Sequence, residues 1–236
     1  TITWPAATVL FFAGEDGRVI LRQALSFGQT KDNVMRYQSA CHALGFLARR
    51  GVDISCFEDL LPHMVEQLAC YGDCVFEENA KGPQGVAAFG EKCWPLVFAK
   101  AADPKFRRGI EFTLACCGVG KKMVEHYGTG PVLHQGLIVN AVHYEAKTHR
   151  PHPDNRVAAE LGGEALFVFH WLLDLAGTLP VNANHGVRLS AIQRAAEIKQ
   201  TSKLPPEETA QALPKLSRLL RATPVQERAE VLEACL

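Results

Sequence analysis

From Asp32 to Arg50 the chain reads DNVMRYQSACHALGFLARR, and its apolar residues return every three or four positions. Val34, Tyr37, Cys41, Leu44 and Ala48, with Ala40 and Leu47 beside them, fall on one face at that interval, which is the period of an α-helix and not of a strand. Thr30 or Asp32 can accept from the first free backbone N–H groups, and Arg49 and Arg50 complement the dipole at the far end. Gly51 stands where a left-handed residue closes a helix. A helix with one apolar face needs a second layer to cover it, so this stretch commits its surroundings to helix-on-helix packing.

The rest of the chain repeats the pattern more loosely. Ala6 to Ala13 and Arg18 to Phe27 read as two short helices around a Gly-Glu-Asp-Gly break. Ser55 with Glu58 forms a capping-box pattern ahead of Leu60, Leu61, Met64, Val65 and Leu68, with a kink or restart expected at Pro62. Lys81 to Gly90 holds Gly82, Pro83, Gly85 and Gly90 and is expected to be a loop, with one helical turn through Val86-Ala87-Ala88. Asp103-Pro104 makes an N-cap and first-turn pair for a helix to Cys117, closed by Gly118.

Farther on, Pro131 to Lys147 reads as a helix with Leu133, Leu137, Ile138, Ala141 and Val142 on one side. A long helix capped by Asp154 reaches Leu175 with an interruption at Gly162-Gly163, and Val187 to Gln200 and the region from Pro205 onward are helical too. No sustained period-two alternation flanked by hairpin turns occurs. The expected fold is all-α, either an irregular helical bundle or a short α-solenoid of stacked helical hairpins. The polar punctuation HRPHPDN, His149 to Asn155, suggests two halves, residues 1–148 and 149–236, which can pack as one domain.

Composition narrows the function classes. The 236 residues include 25 basic and 25 acidic side chains, so general polyanion binding, nucleic acid included, is not expected. No apolar run approaches the ~18–20 residues of a membrane span. The eight cysteines are too sparse for a disulfide scaffold, and Cys41 and Cys116-Cys117 lie in apolar stretches. Buried, reduced thiols in a reducing, cytoplasmic compartment are expected.

Ala43-Leu44-Gly45-Phe46-Leu47, preceded by Ala40, resembles the second helix of a HEAT or armadillo-type repeat. Leu60-Leu61-Pro62-His63-Met64-Val65-Glu66-Gln67-Leu68 is similar to the first helix of a following unit, and Asp103-Pro104-Lys105-Phe106-Arg107 to the opening of another second helix. The resemblance spans residues 30–120 at most. It implies stacked helical hairpins in which small residues let paired helices approach closely, and a scaffold whose ligand is another protein. The basic pairs Arg49-Arg50 and Arg107-Arg108 are then the candidate contacts for an acidic partner.

A second resemblance points elsewhere. Cys93-Trp94 at a loop-to-helix junction is similar to the nucleophile setting of papain-like and transglutaminase-like enzymes. There a helix N-terminus favours thiolate, and a His base with an orienting acid completes the site. The resemblance implies Cys93, His134 and Asp154 as catalytic residues of a Cys-His protease or acyl transferase acting on a protein, with Cys74 as the second choice of nucleophile. His143 and Asn155 are the neighbouring alternatives for base and orienting group. Those families place the His and acid on strands, so a strandless chain favours the scaffold. His149, His152 and Asp154 lack metal-site spacing, and Lys121-Lys122 after Gly118-Val119-Gly120 lacks phosphate-loop spacing. Neither a metal nor a cofactor is expected.

Overall fold

The computed structural model describes residues 3–71, 81–148, 157–180, 185–202, 204–225 and 228–229. Their regular structure is helical throughout, with no strand among the described residues. The chain forms two compact units, Thr1–Cys117 and Gly118–Leu236. The boundary expected within His149–Asn155 falls outside the described residues. No helix among the described residues is long and apolar enough to cross a membrane.

The first unit contains α1 (Trp4–Phe12), α2 (Glu15–Ser26), α3 (Val34–Arg49), α4 (Leu61–Glu66), α5 (Lys81–Ala87), α6 (Trp94–Ala99) and α7 (Arg107–Cys117). Helix α3 is its centre, packed against α1, α2 and α5, and α5 packs in turn on α7. The expected face of α3 is buried through Tyr37, Ala40, Cys41, Leu44 and Leu47. Ser39, Ala43 and Gly45 are buried as well, because helices cover α3 from more than one side. Its end matches the sequence reading, with Gly51 at φ +73°. Its start does not. Neither Thr30 nor Asp32 supplies a side-chain cap; the Thr30 carbonyl accepts from the Val34 N–H at 2.8 Å. The Asn33 side-chain amide donates to the carbonyls of Ala24 and Gly28 at 2.8 and 2.9 Å, tying α3 to the end of α2.

Local chemistry explains most of the other joints. Between α1 and α2 only Ala13 and Gly14 intervene, Gly14 at φ +90°; Glu15 and Asp16 begin α2, where their charges suit the dipole. A 3-10 turn over Ser55–Leu60 precedes α4, which restarts with Pro62 in its first turn. Asp53 rather than Ser55 serves that turn, its carboxylate accepting from the Ser55 N–H at 2.9 Å. Asp103 caps as expected, accepting from the Lys105 N–H at 3.2 Å, and Gly118 at φ +81° follows α7.

The largest departure is the glycine-rich stretch. Residues Lys81–Ala87 are not a loop but the helix α5, with Gly82, Pro83, Gly85 and Val86 buried. A Cβ placed on Gly85 would sit 2.6 Å from the Cβ of Cys41, and one on Gly45 would sit 3.1 Å from the Gln84 carbonyl oxygen. The glycines are there because α3 and α5 cross too closely for side chains. Burial against α3 outweighs the roughly 1 kcal/mol that each glycine costs a helix relative to alanine.

The second unit contains α8 (Lys121–Tyr127), α9 (Val132–Thr148), α10 (Val157–Thr178), α11 (His185–Thr201), α12 (Pro206–Ala210) and α13 (Leu213–Ala222). Helix α11 packs against α9 and α10, and α13 covers α10. Its core includes Ile138, Val139, Phe169, Leu172 and Ile192. Two expectations are corrected here. Helix α10 runs through Gly162-Gly163 without interruption, and Leu133 on α9 is exposed at 49% instead of joining the buried side. Leu133 lies in the first turn of α9, ahead of the core positions that begin at Leu137.

Candidate functional site

Helix α1, WPAATVLFF, carries no charge and is apolar on almost every side, yet only Ala7 and Phe11 are buried. A helix apolar all round is ordinarily enclosed. Here Val9 is 68% exposed and Phe12 66%, with Trp4 partly exposed at the other end. The helix spans about 13 Å, nine residues at 1.5 Å each.

The Trp4 end rests on the C-terminal half of α3. The indole stacks on the His42 ring at a centroid distance of 4.9 Å and 11° between planes, and tilts against Phe46 at 5.4 Å. The Arg50 guanidinium lies 3.7 Å from the Phe46 ring centroid, within cation–π range. Arg49 and Arg50 are both exposed. The Phe12 end leads through Gly14 into exposed Glu15 and Asp16. The result is an uncharged helix with two cations at one end and two carboxylates at the other.

Of the four arginines singled out from sequence, Arg49 and Arg50 therefore border this surface. Arg107 is engaged by its own helix, its Nε 3.1 Å from the carboxylate of buried Glu111. The Arg108 guanidinium lies over the Phe112 ring at 5.8 Å. Trp4, Val9, Phe12, His42 and Phe46 were not among the sequence candidates. The signal available for them was the unbroken apolar run of α1 with Pro5 in its first turn.

The thiol candidates divide differently. Cys93 does sit at a junction, ending a 3-10 turn and preceding α6. It is fully buried, and its Sγ faces Cys117 Sγ at 3.7 Å. His134 belongs to the second unit, half-buried, with its ring 6.1 Å from that of Tyr127. Cys74, His149, His152, Asp154 and Asn155 lie outside the described residues, and His143 belongs to α9. Cys41 is an inert thiol, since burial pushes it up to about 12 even though Tyr37 beside it works in the opposite direction. Among the described residues no cluster of three His, Cys, Asp or Glu could hold a metal ion.

In the second unit a cavity of about 390 Å³ opens among α10, α11 and α13, bordered by Arg188, Lys215, Arg218 and Asp174. Arg188 and the Lys215–Asp174 pair hold the helices together there. Buried Arg188 donates to the Ala176 carbonyl at 3.1 Å, satisfying an orphan acceptor at the end of α10, and to Thr223 Oγ1 at 2.7 Å. Lys215 pairs with Asp174 at 2.6 Å.

Burial depresses the ionisation of His42, His134 and His170, with Lys81 and Arg49 adding to the effect at His42. Each folded-state value lies below the ordinary 6.5, so the unfolded chain takes up these protons first as pH falls. The corresponding stability is complete above the unfolded value and is lost on acidification through and below it. Thermal melts between about pH 7 and about pH 5 are expected to show a falling Tm, with a shallower fall in His42→Gln if the first unit melts first. A flat or rising Tm over that window would contradict the burial of these rings.

Comparison with protein-family models, with curated proteins and with solved structures returned no match.

Proposed function

We propose that the chain is an α-helical interaction module that holds another protein along α1. The observation carrying this reading is the outward face of α1, where Val9 and Phe12 are exposed, with Trp4 partly exposed at its N-terminal end against α3, an aromatic and aliphatic surface bordered by charge. Such patches mark contact sites in soluble proteins, and Trp and Arg are the side chains that most often dominate binding energy. The partner that fits is an amphipathic helix laid along this face, acidic where it meets Arg49 and Arg50 and basic where it meets Glu15 and Asp16.

The architecture supports a scaffold of the HEAT or armadillo kind. Helices pack as pairs about α3 and α5, and Gly45 and Gly85 set a close crossing between them. An inert buried thiol such as Cys41 accords with a reducing, cytoplasmic setting. The competing reading, a Cys-dependent enzyme using Cys93, His134 and Asp154, is the less favoured because Cys93 is buried against Cys117.

The test is a displayed-peptide selection on the full chain, run in parallel on Val9→Asp/Phe12→Asp. Both positions are exposed, so the variant is expected to melt as the parent does. The parent should enrich helical peptides with one apolar face and an acidic end, and the variant should not. Binding of an enriched peptide should fall at least about tenfold in Arg49→Glu/Arg50→Glu. Identical peptides on parent and variant, or no enrichment on either, would defeat the proposal.

A further inference from the structure

We propose that Cys93 and Cys117 form a reversible disulfide when the protein meets hydrogen peroxide. The two sulfurs already face one another at 3.7 Å. A disulfide needs about 2.05 Å between sulfurs, a difference that side-chain rotation and a small shift of one helix end can supply. Cys117 is the last residue of α7 and is followed by Gly118 at φ +81°, so the shift falls on a helix terminus and leaves the interior turns of α7 in place. Cys93 is fixed in the core beside α6.

Exposure assigns the order of events. Cys117 is half-buried and Cys93 fully buried, so the peroxide reaches Cys117 first. The Cys117 sulfur attacks one peroxide oxygen; the O–O bond breaks, an S–O bond forms, and the other oxygen leaves as water after taking the thiol proton. Cys117 is then a sulfenic acid. The Cys93 sulfur attacks that sulfur; the S–S bond forms, the S–O bond breaks, and the hydroxyl leaves with the Cys93 proton as a second water. Two thiols have given two electrons to one peroxide. A dithiol reductant reverses the change by exchange.

Two competing pairings are disfavoured by geometry. Cys116 is exposed and adjacent to Cys117 on α7, but successive residues of a helix point about 100° apart, so a bond between neighbours would require unwinding the last turn. Cys41 is enclosed between α3 and α5. The bond from Cys93 to Cys117 instead ties the end of α7 to the start of α6 and closes a loop across the first unit.

The experiment is peroxide titration of the full chain followed by non-reducing digestion and mass mapping. The expected product is one peptide pair joined through Cys93 and Cys117, restored to two thiols by dithiothreitol and accompanied by a rise of several degrees in Tm. In Cys93→Ser, Cys117 should accumulate as a sulfenic acid trapped by dimedone, whereas Cys117→Ser should leave Cys93 unmodified. Mapping of the parent protein requires neither variant to fold. Cross-links that omit this pair, or Cys117 carried to a sulfinic acid with no cross-link, would overturn the proposal.

Discussion

Leu44→Asp is expected to abolish the cooperative melt of the first unit. Leu44 is 1% exposed on α3, the helix that contacts α1, α2 and α5. Aspartate there removes a core side chain and leaves a carboxylate without water or a counter-ion. The combined cost is on the order of 5 kcal/mol, comparable with the whole stability of a domain of this size. Circular dichroism with temperature is the measurement, with Val9→Asp as the comparison because it adds the same charge to an exposed position. A Leu44→Asp melt near the parent temperature would show that α3 is not the centre of the unit.

Gly85→Val is expected to destabilise the protein by about 1–3 kcal/mol or more, the range for overpacking a filled core. The new Cβ would lie 2.6 Å from the Cys41 Cβ and 2.8 Å from both its Cα and Sγ, so α3 and α5 would have to separate. Gly85→Ala makes the argument sharper. On helix propensity alone it should stabilise by about 1 kcal/mol, and the close crossing reverses that sign. Urea midpoints for both variants measure the effect. Adding Cys41→Gly to Gly85→Ala removes the Cβ and Sγ that the new Cβ meets and leaves only the backbone Cα in its way, so the pair should be less damaging than the sum of the singles. An increase in stability for Gly85→Ala alone would return residues 81–87 to an uncrowded setting.

Both predictions turn on the difference between what a segment encodes locally and what its neighbours impose. The period of α3, its closure at Gly51, the Asp103 cap and the stop at Gly118 were legible because each depends on residues within a turn or two of one another. From such local features the sequence by itself determined an all-α protein. It also indicated Arg49 and Arg50 as surface cations and Cys93 as a junction residue, since helix ends and junctions are local properties too.

Tertiary structure decided the rest. Glycines and a proline made Lys81–Ala87 look like a loop, and only contact with α3 turns that run into a buried helix. Helix α1 is apolar enough to be enclosed, yet its neighbours leave Val9 and Phe12 in water; that outcome depends on which helices pack beside it, not on its nine residues. The meeting of Cys93 with Cys117 joins positions 24 residues apart, a distance over which helical periodicity carries no information. Periodicity sets which residues share a face, but the partner of that face, and whether it has one, is fixed only when the helices pack.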